Sequence, residues 1–395
     1  MATFSHSLTN PDALANMARE EHLQNADLRS AQFLYKKALE NFVLHLPSWL
    51  GIAEVFNDQG NVRQAIDVLE FIHNRFSNGE NTAWSKTLLA ATLGQEQILT
   101  ENLLWLLHNY PAKEKEVFAL ATISWEEPEI LMNKFGKAYY PEILQEYIKH
   151  NELEKTMTVW EKMIDSGAIQ QDVVVKYVDY LMDQNAFSLA AKVWSNIVAP
   201  DEPLLYNGDF TKPIMGSGFG WRLSAPKGSS WNKGAYGSGL EITFDGTENV
   251  SFQLSQILPL NPGEYIFKGF IETDDLTTDQ LPFWMIKGEQ CIGLSKQGEM
   301  VLPNQHATEF ALTFVVPDNC ELVRISLLRR TSYHFDNKIG GKIKVTSLSL
   351  QPREKRSSIP AQPLPNQIKG RQPVQHTPQK ISETNISINK LMVQP

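Results

Sequence analysis

Asn207-Gly208-Asp209-Phe210, followed after a short gap by Phe219-Gly220-Trp221-Arg222-Leu223, is the stretch that decides the fold. Asn-Gly marks a turn, because Gly takes positive φ freely and Asn tolerates it. The turn is expected to launch a first strand. The Gly216-Ser217-Gly218 linker then leads to a second, aromatic strand over Phe219–Leu223. Upstream of this point apolar residues recur at helical spacing, and downstream they alternate. The chain therefore divides here into a helical part and a strand part.

Working backwards, the helical part repeats itself at a period of 34 residues. Ala31, Tyr35 and Ala38 reappear one period later as Ala65, Leu69 and Ile72, and again as Leu99, Leu103 and Leu106. The same shift takes Thr156, Trp160 and Met163 onto Ala190, Trp194 and Ile197, and the turn residue Asn151 onto Asn185. Small residues let two helices approach, and large ones fill the space between them. This pattern resembles tetratricopeptide repeats, with Trp49, Ala53, Phe56, Gly60 and Ala65 at the family's offsets. The resemblance implies an α-solenoid over residues 1–200, whose concave surface binds a protein partner. Later copies depart from the family, with Thr156 in place of Ala and Trp160 and Trp194 in place of Phe or Tyr. Between Leu106 and Tyr147 the phase is lost. Pro111, Pro128 and Pro141 are expected to break helices there, leaving an irregular insert or a degenerate repeat. Trp84, Trp105, Trp160 and Trp194 read as inter-helix core. His22, His45, His73, His108 and His150 are scattered, with no i,i+4 pairing or adjacent acidic motif, so no metal site is expected.

Working forwards, residues 204–350 read as an antiparallel β-sandwich. Leu240, Ile242 and Phe244 alternate with polar residues, as do Phe310, Leu312 and Phe314, and Val323, Ile325 and Leu327. Asp245-Gly246, Asn261-Pro262-Gly263 and Pro317-Asp318-Asn319 supply turns between them. The opening motif, the run Gln256–Phe267 and the closing Gly341–Leu350 resemble carbohydrate-binding-module jelly rolls. That resemblance implies glycan binding. It also implies a structural calcium, but the positions for its acids carry Thr211 and Thr346-Ser347. These are poor hard-cation ligands, so no metal or other cofactor is expected. The run Thr273–Trp284, with Phe335–Gly341, resembles the C-terminal domain of tetratricopeptide-repeat proteins of bacterial exopolysaccharide biosynthesis and export.

Glycan recognition wants flat aromatic faces with planar polar partners. The candidate residues are Trp231, Tyr236, Trp284, Arg330, Tyr333, Asp336 and Asn337. Trp231 and Tyr236 sit among Gly and Ser and read as loop residues. Trp221 and Trp284, in strand patterns, read equally as core. Arg329 and Asp336 read equally as an ion pair across a hairpin.

Net charge is −9 over 395 residues. From Gln351 onward seven Lys/Arg face two Asp/Glu, so the body is more acidic than the sum suggests. An acidic body argues against nucleic acid as a partner. Residues 351–395, with seven prolines and rich in Gln and Ser, read as a disordered basic tail. Two cysteines, Cys291 and Cys320, are expected as buried free thiols, with one bridge as the alternative. The absence of a basic–apolar leader and of a long apolar window predicts a cytoplasmic protein without a membrane span. No catalytic motif is present. The expectation is a non-catalytic scaffold for polysaccharide assembly, whose solenoid binds protein and whose sandwich binds glycan or packs as a rigid partner face. The alternative is a carbohydrate-active enzyme with a carboxylate site in the sandwich, drawn from acids such as Glu241, Asp274 and Asp336.

Overall fold

A computed structural model describes residues 10–167, 169–198, 203–234, 239–335 and 337–353. The expected disordered tail lies outside the described residues, apart from 351–353. Twelve α-helices are described, followed by ten strands. The helices are α1 (Pro11–Leu23), α2 (Leu28–Asn41), α3 (Leu46–Asp58), α4 (Val62–Arg75), α5 (Glu80–Thr92), α6 (Glu96–Asn109), α7 (Glu114–Ser124), α8 (Pro128–Phe135), α9 (Tyr140–Lys149), α10 (Leu153–Ser166), α11 (Gln171–Asp183) and α12 (Phe187–Trp194). None is long and apolar enough to cross a membrane.

The repeating columns are the buried ones. Ala31, Ala38, Ala65, Leu69, Ile72, Leu103, Leu106, Thr156 and Ala190 are all fully buried. The period also marks the turn inside each hairpin, where one residue must take positive φ: Gly60 (76°) and Gly94 (63°), then Asn151 (58°) and Asn185 (59°). Asn10 and Asp27 cap α1 and α2 by accepting backbone N–H groups of the first turn. In the segment where the period lapses the chain stays helical. Pro128 and Pro141 stand in the first turn of α8 and α9, and Pro111 opens a short 3-10 turn. The expectation that these prolines break helices is corrected: each starts one, where its missing N–H costs nothing.

The strands are β1 (Arg222–Ser224), β2 (Ser229–Lys233), β3 (Leu240–Asp245), β4 (Phe252–Pro259), β5 (Gly263–Thr277), β6 (Phe283–Glu289), β7 (Ser295–Met300), β8 (Thr308–Val316), β9 (Leu322–Arg329) and β10 (Gly340–Pro352). They form two five-stranded antiparallel sheets, ordered β1-β4-β9-β6-β7 and β2-β3-β10-β5-β8. Inward residues of both sheets, among them Phe244, Leu254, Phe267, Ile286, Ile325 and Val345, make one core. The expected strands before Arg222 are absent. Asn207 and Phe210 take positive φ, and the buried Asn207 side chain bonds the Lys212 backbone twice, so the segment folds as a turn. Gly208 is needed because a Cβ there would lie 2.0 Å from the Leu348 carbonyl oxygen of β10. Phe210 and Trp221 still enter the core, the Trp221 indole donating to the Asn207 carbonyl at 3.1 Å.

The two halves share a seam. Trp194 meets Tyr206 and Phe219 edge-on, at 5.4 and 5.8 Å between centroids. Ile257 of β4 and Leu322 of β9 belong to the same apolar cluster as the helices. Asp179 of α11 accepts from Gly218 N at 2.7 Å and from Arg222 at 3.4 Å.

Cys291 and Cys320 form a disulfide, which corrects the expectation of free thiols. The bond ties the turn after β6 to the turn after β8. Such bonds persist in oxidising compartments, which sits against the cytoplasmic expectation.

Candidate functional site

The rim of the sandwich is organised by one buried cation. Val323, Ile325 and Leu327 face the core from β9, and the same parity carries Arg329 inward, where it is 1% exposed. Its guanidinium donates to the carbonyls of Val250, Gln280 and Asn337 and to the side-chain oxygens of Thr278 and Asn249. Asn249 in turn exchanges hydrogen bonds with the Ser332 backbone, at 2.8 and 3.0 Å. The Ser332 hydroxyl donates to Asp279 and holds that carboxyl below its usual range. Three loops are thereby pinned together. Burial lowers the Arg329 pKa, partly countered by Asp279, and a guanidinium stays charged under such a shift.

On this base stand the exposed groups. Arg330 places its guanidinium over the Phe283 ring, 5.6 Å from the centroid. Tyr333 is 99% exposed. With Ser251, Gln280, Thr331 and His334 they line an open hollow of about 560 Å³. An aromatic face, a planar guanidinium and an amide set around a hollow suit a ligand with an apolar face and a ring of hydroxyls.

The other candidates fall elsewhere. Asn337 is half-buried and its carbonyl is already taken by Arg329. Trp231 lies on the edge strand β2, opposite Ile242, and is exposed. Trp284 does not reach the surface: it is 3% exposed and packs between Phe267 and Phe310, at 4.8 and 5.3 Å between centroids. Its candidacy is corrected, because it shares the inward parity of Ile286 on β6. Tyr236 and Asp336 lie outside the described residues. The hollow therefore gathers Arg330 and Tyr333, while Asn337 is held by Arg329 and Trp231 lies on the other sheet.

A second recess, which the sequence did not reveal, is the concave groove of α1, α3 and α5, of about 600 Å³. Equivalent positions on these three helices line it in rows: Asn16, Gly51 and Ser85; Arg19, Glu54 and Leu88; Leu23, Asp58 and Thr92. Burial raises the Glu54 carboxyl, against the His22 and Arg19 charges that lower it. The same recess pushes the Tyr35 phenol up to about 12. His22 is buried; its Nε2 meets Asp58 at 2.8 Å and its Nδ1 has no partner among the described residues. Two further histidines pair across helices, His45 with Asp12 at 3.0 Å and His73 with Glu101 at 3.1 Å. The absence of acids beside these histidines in sequence was misleading: for His22 and His45 the partner lies about one repeat away.

No family model and no curated protein matches the chain. Among solved structures, a CBM4 domain is similar at 17% identity and a TM-score of 0.30, covering 38% of this chain and 99% of that one. The CBM22-1 xylan-binding domain from Paenibacillus barcinonensis Xyn10C is similar at 10% identity and a TM-score of 0.25, covering 37% and 91%. The enzymatically active domain of bacteriophage CBA120 tailspike protein 4 is similar at 15% identity and a TM-score of 0.29, covering 40% of this chain. The chain spans only 22% of that tailspike domain's length. TM-scores of 0.30 and below carry no argument about the ligand of this chain.

Proposed function

We propose that this chain is a non-catalytic adaptor: the concave groove of the helical array holds a protein partner, and the loop rim of the β-sandwich holds a glycan. The observation that carries the reading is the rim itself, where a buried arginine fixes the loops and an exposed Tyr333 and a ring-stacked Arg330 flank a polar hollow. A loop backbone fixed by Arg329 and a guanidinium stacked on Phe283 lower the entropic cost of binding there. The seam around Trp194 holds groove and rim in one unit, as an adaptor requires. Resemblance of the run Thr273–Trp284 to proteins of exopolysaccharide biosynthesis supports a polysaccharide as the glycan. A glycan array probed with the full chain, Tyr333→Ala and Arg330→Ala tests it. Retention of at least one glycan class, weakened about tenfold or more by either substitution, is expected. Retention unaffected by both, or no retention at all, refutes the rim as a glycan site.

A further inference from the structure

The rows of the concave groove differ in charge, and that difference specifies an occupant. Resting on the adaptor reading, we infer that the groove takes an extended segment of a partner protein with an acidic residue, a basic residue and an apolar residue at three-residue intervals.

The central row runs Arg19, Glu54, Leu88 across α1, α3 and α5, with Leu89 beside Leu88 and Asp58 beside Glu54. It presents a cation, then an anion, then an apolar surface. Adjacent packed helices lie about 8–10 Å apart and an extended chain rises about 3.3 Å per residue, so neighbouring rows are met about every third residue. Between these side chains the floor is lined by Gly51, Ser85 and Tyr35. At Gly51 the space belongs to Tyr35, whose ring a Cβ would overlap at 2.2 Å.

The two charges of the central row are not spent on each other. Arg19 acts on Glu54 through space, with no ion pair joining them among the described residues. Asp58 is held by His22, which leaves the buried Nδ1 of His22 unpartnered among the described residues at the groove wall. A basic ligand side chain beside Glu54 compensates its carboxylate, and an acidic one beside Arg19 completes the row. Screening by salt weakens such contacts.

Capped, fluorescein-labelled Gly/Ser peptides carrying Asp, Lys and Leu at this spacing, in both chain directions, are titrated into the full chain at low salt and followed by anisotropy. A set with Asp and Lys exchanged is the control. The matched order is expected to bind about tenfold tighter than the exchanged order, and the double variant Arg19→Glu/Glu54→Arg to reverse the preference. If both orders bind alike and the double variant changes nothing, the charge code is overturned while the groove stands as a peptide site. If no peptide of either order binds, the code and the groove reading fall together. Circular dichroism of the double variant confirms that it is folded.

Discussion

Replacing Arg329 with Leu should damage the sandwich more than any surface change, and the size follows from its contacts. The side chain is 1% exposed and satisfies three backbone carbonyls, those of Val250, Gln280 and Asn337. Leaving a buried acceptor without a donor costs about 1–3 kcal/mol. These carbonyls lie in loops that water can enter after a small movement, so the lower end applies and the sum is about 3 kcal/mol. Relief of the buried charge's desolvation offsets part of this, while loss of the Thr278 and Asn249 contacts adds to it. A net loss of about 3 kcal/mol lowers the melting temperature by roughly 6–12 °C for a unit of this size. Calorimetry of wild type, Arg329→Leu and Arg329→Lys measures it. Lys keeps the charge but has three donors on a point and cannot span all three loops, so it should fall between the other two. A fall of less than about 2 °C for Arg329→Leu would show that the loops are held by something else. The same variant should lose glycan retention although Arg330 and Tyr333 are untouched.

Three further outcomes are expected. Reduction of the Cys291–Cys320 bond, which spans 29 residues, should cost about 3–4 kcal/mol by loop-closure entropy; an unchanged urea midpoint with reductant would contradict it. Gly218→Ala places a Cβ 2.6 Å from the Trp194 ring at a φ of +57° and should loosen the seam by about 1–3 kcal/mol, read from the urea midpoint. Burial raises the Glu142 carboxyl above its ordinary 4.5, and one of its buried oxygens has no partner among the described residues. The native state therefore holds that proton more tightly than the unfolded one, and this contribution to stability is lost as pH rises through the folded pKa. Glu142→Gln should thus gain a few tenths of a kcal/mol at pH 7 and nothing well below pH 4, checked by urea unfolding at both.

Much of this architecture is legible in the residues, and the failures have physical causes. The helical hairpins show because their columns are chemically constrained: Ala65 must be small, and Asn151 must tolerate positive φ. The groove rows stay hidden because Arg19, Glu54 and Leu88 share a position but no chemistry. Parity along β6 and β9 was enough to place Trp284 and Arg329 in the core, had each been compared with its neighbours two residues away. The turn at Asn207 defeated the strand expectation because side-chain bonds to the Lys212 backbone outcompete the ladder. The disulfide depends on two turns, after β6 and after β8, that the order β9-β6-β7 brings together. No local pattern encodes that proximity.

A sandwich that acts as an adaptor holds its glycan without changing it. The most direct measurement is to incubate the full chain with a glycan that it retains and to follow both retention and the appearance of reducing ends. The glycan is expected to be bound through the rim, lost with Tyr333→Ala, and recovered intact. Reducing ends that accumulate with the wild-type chain and cease with Glu241→Gln or Asp274→Asn would contradict it.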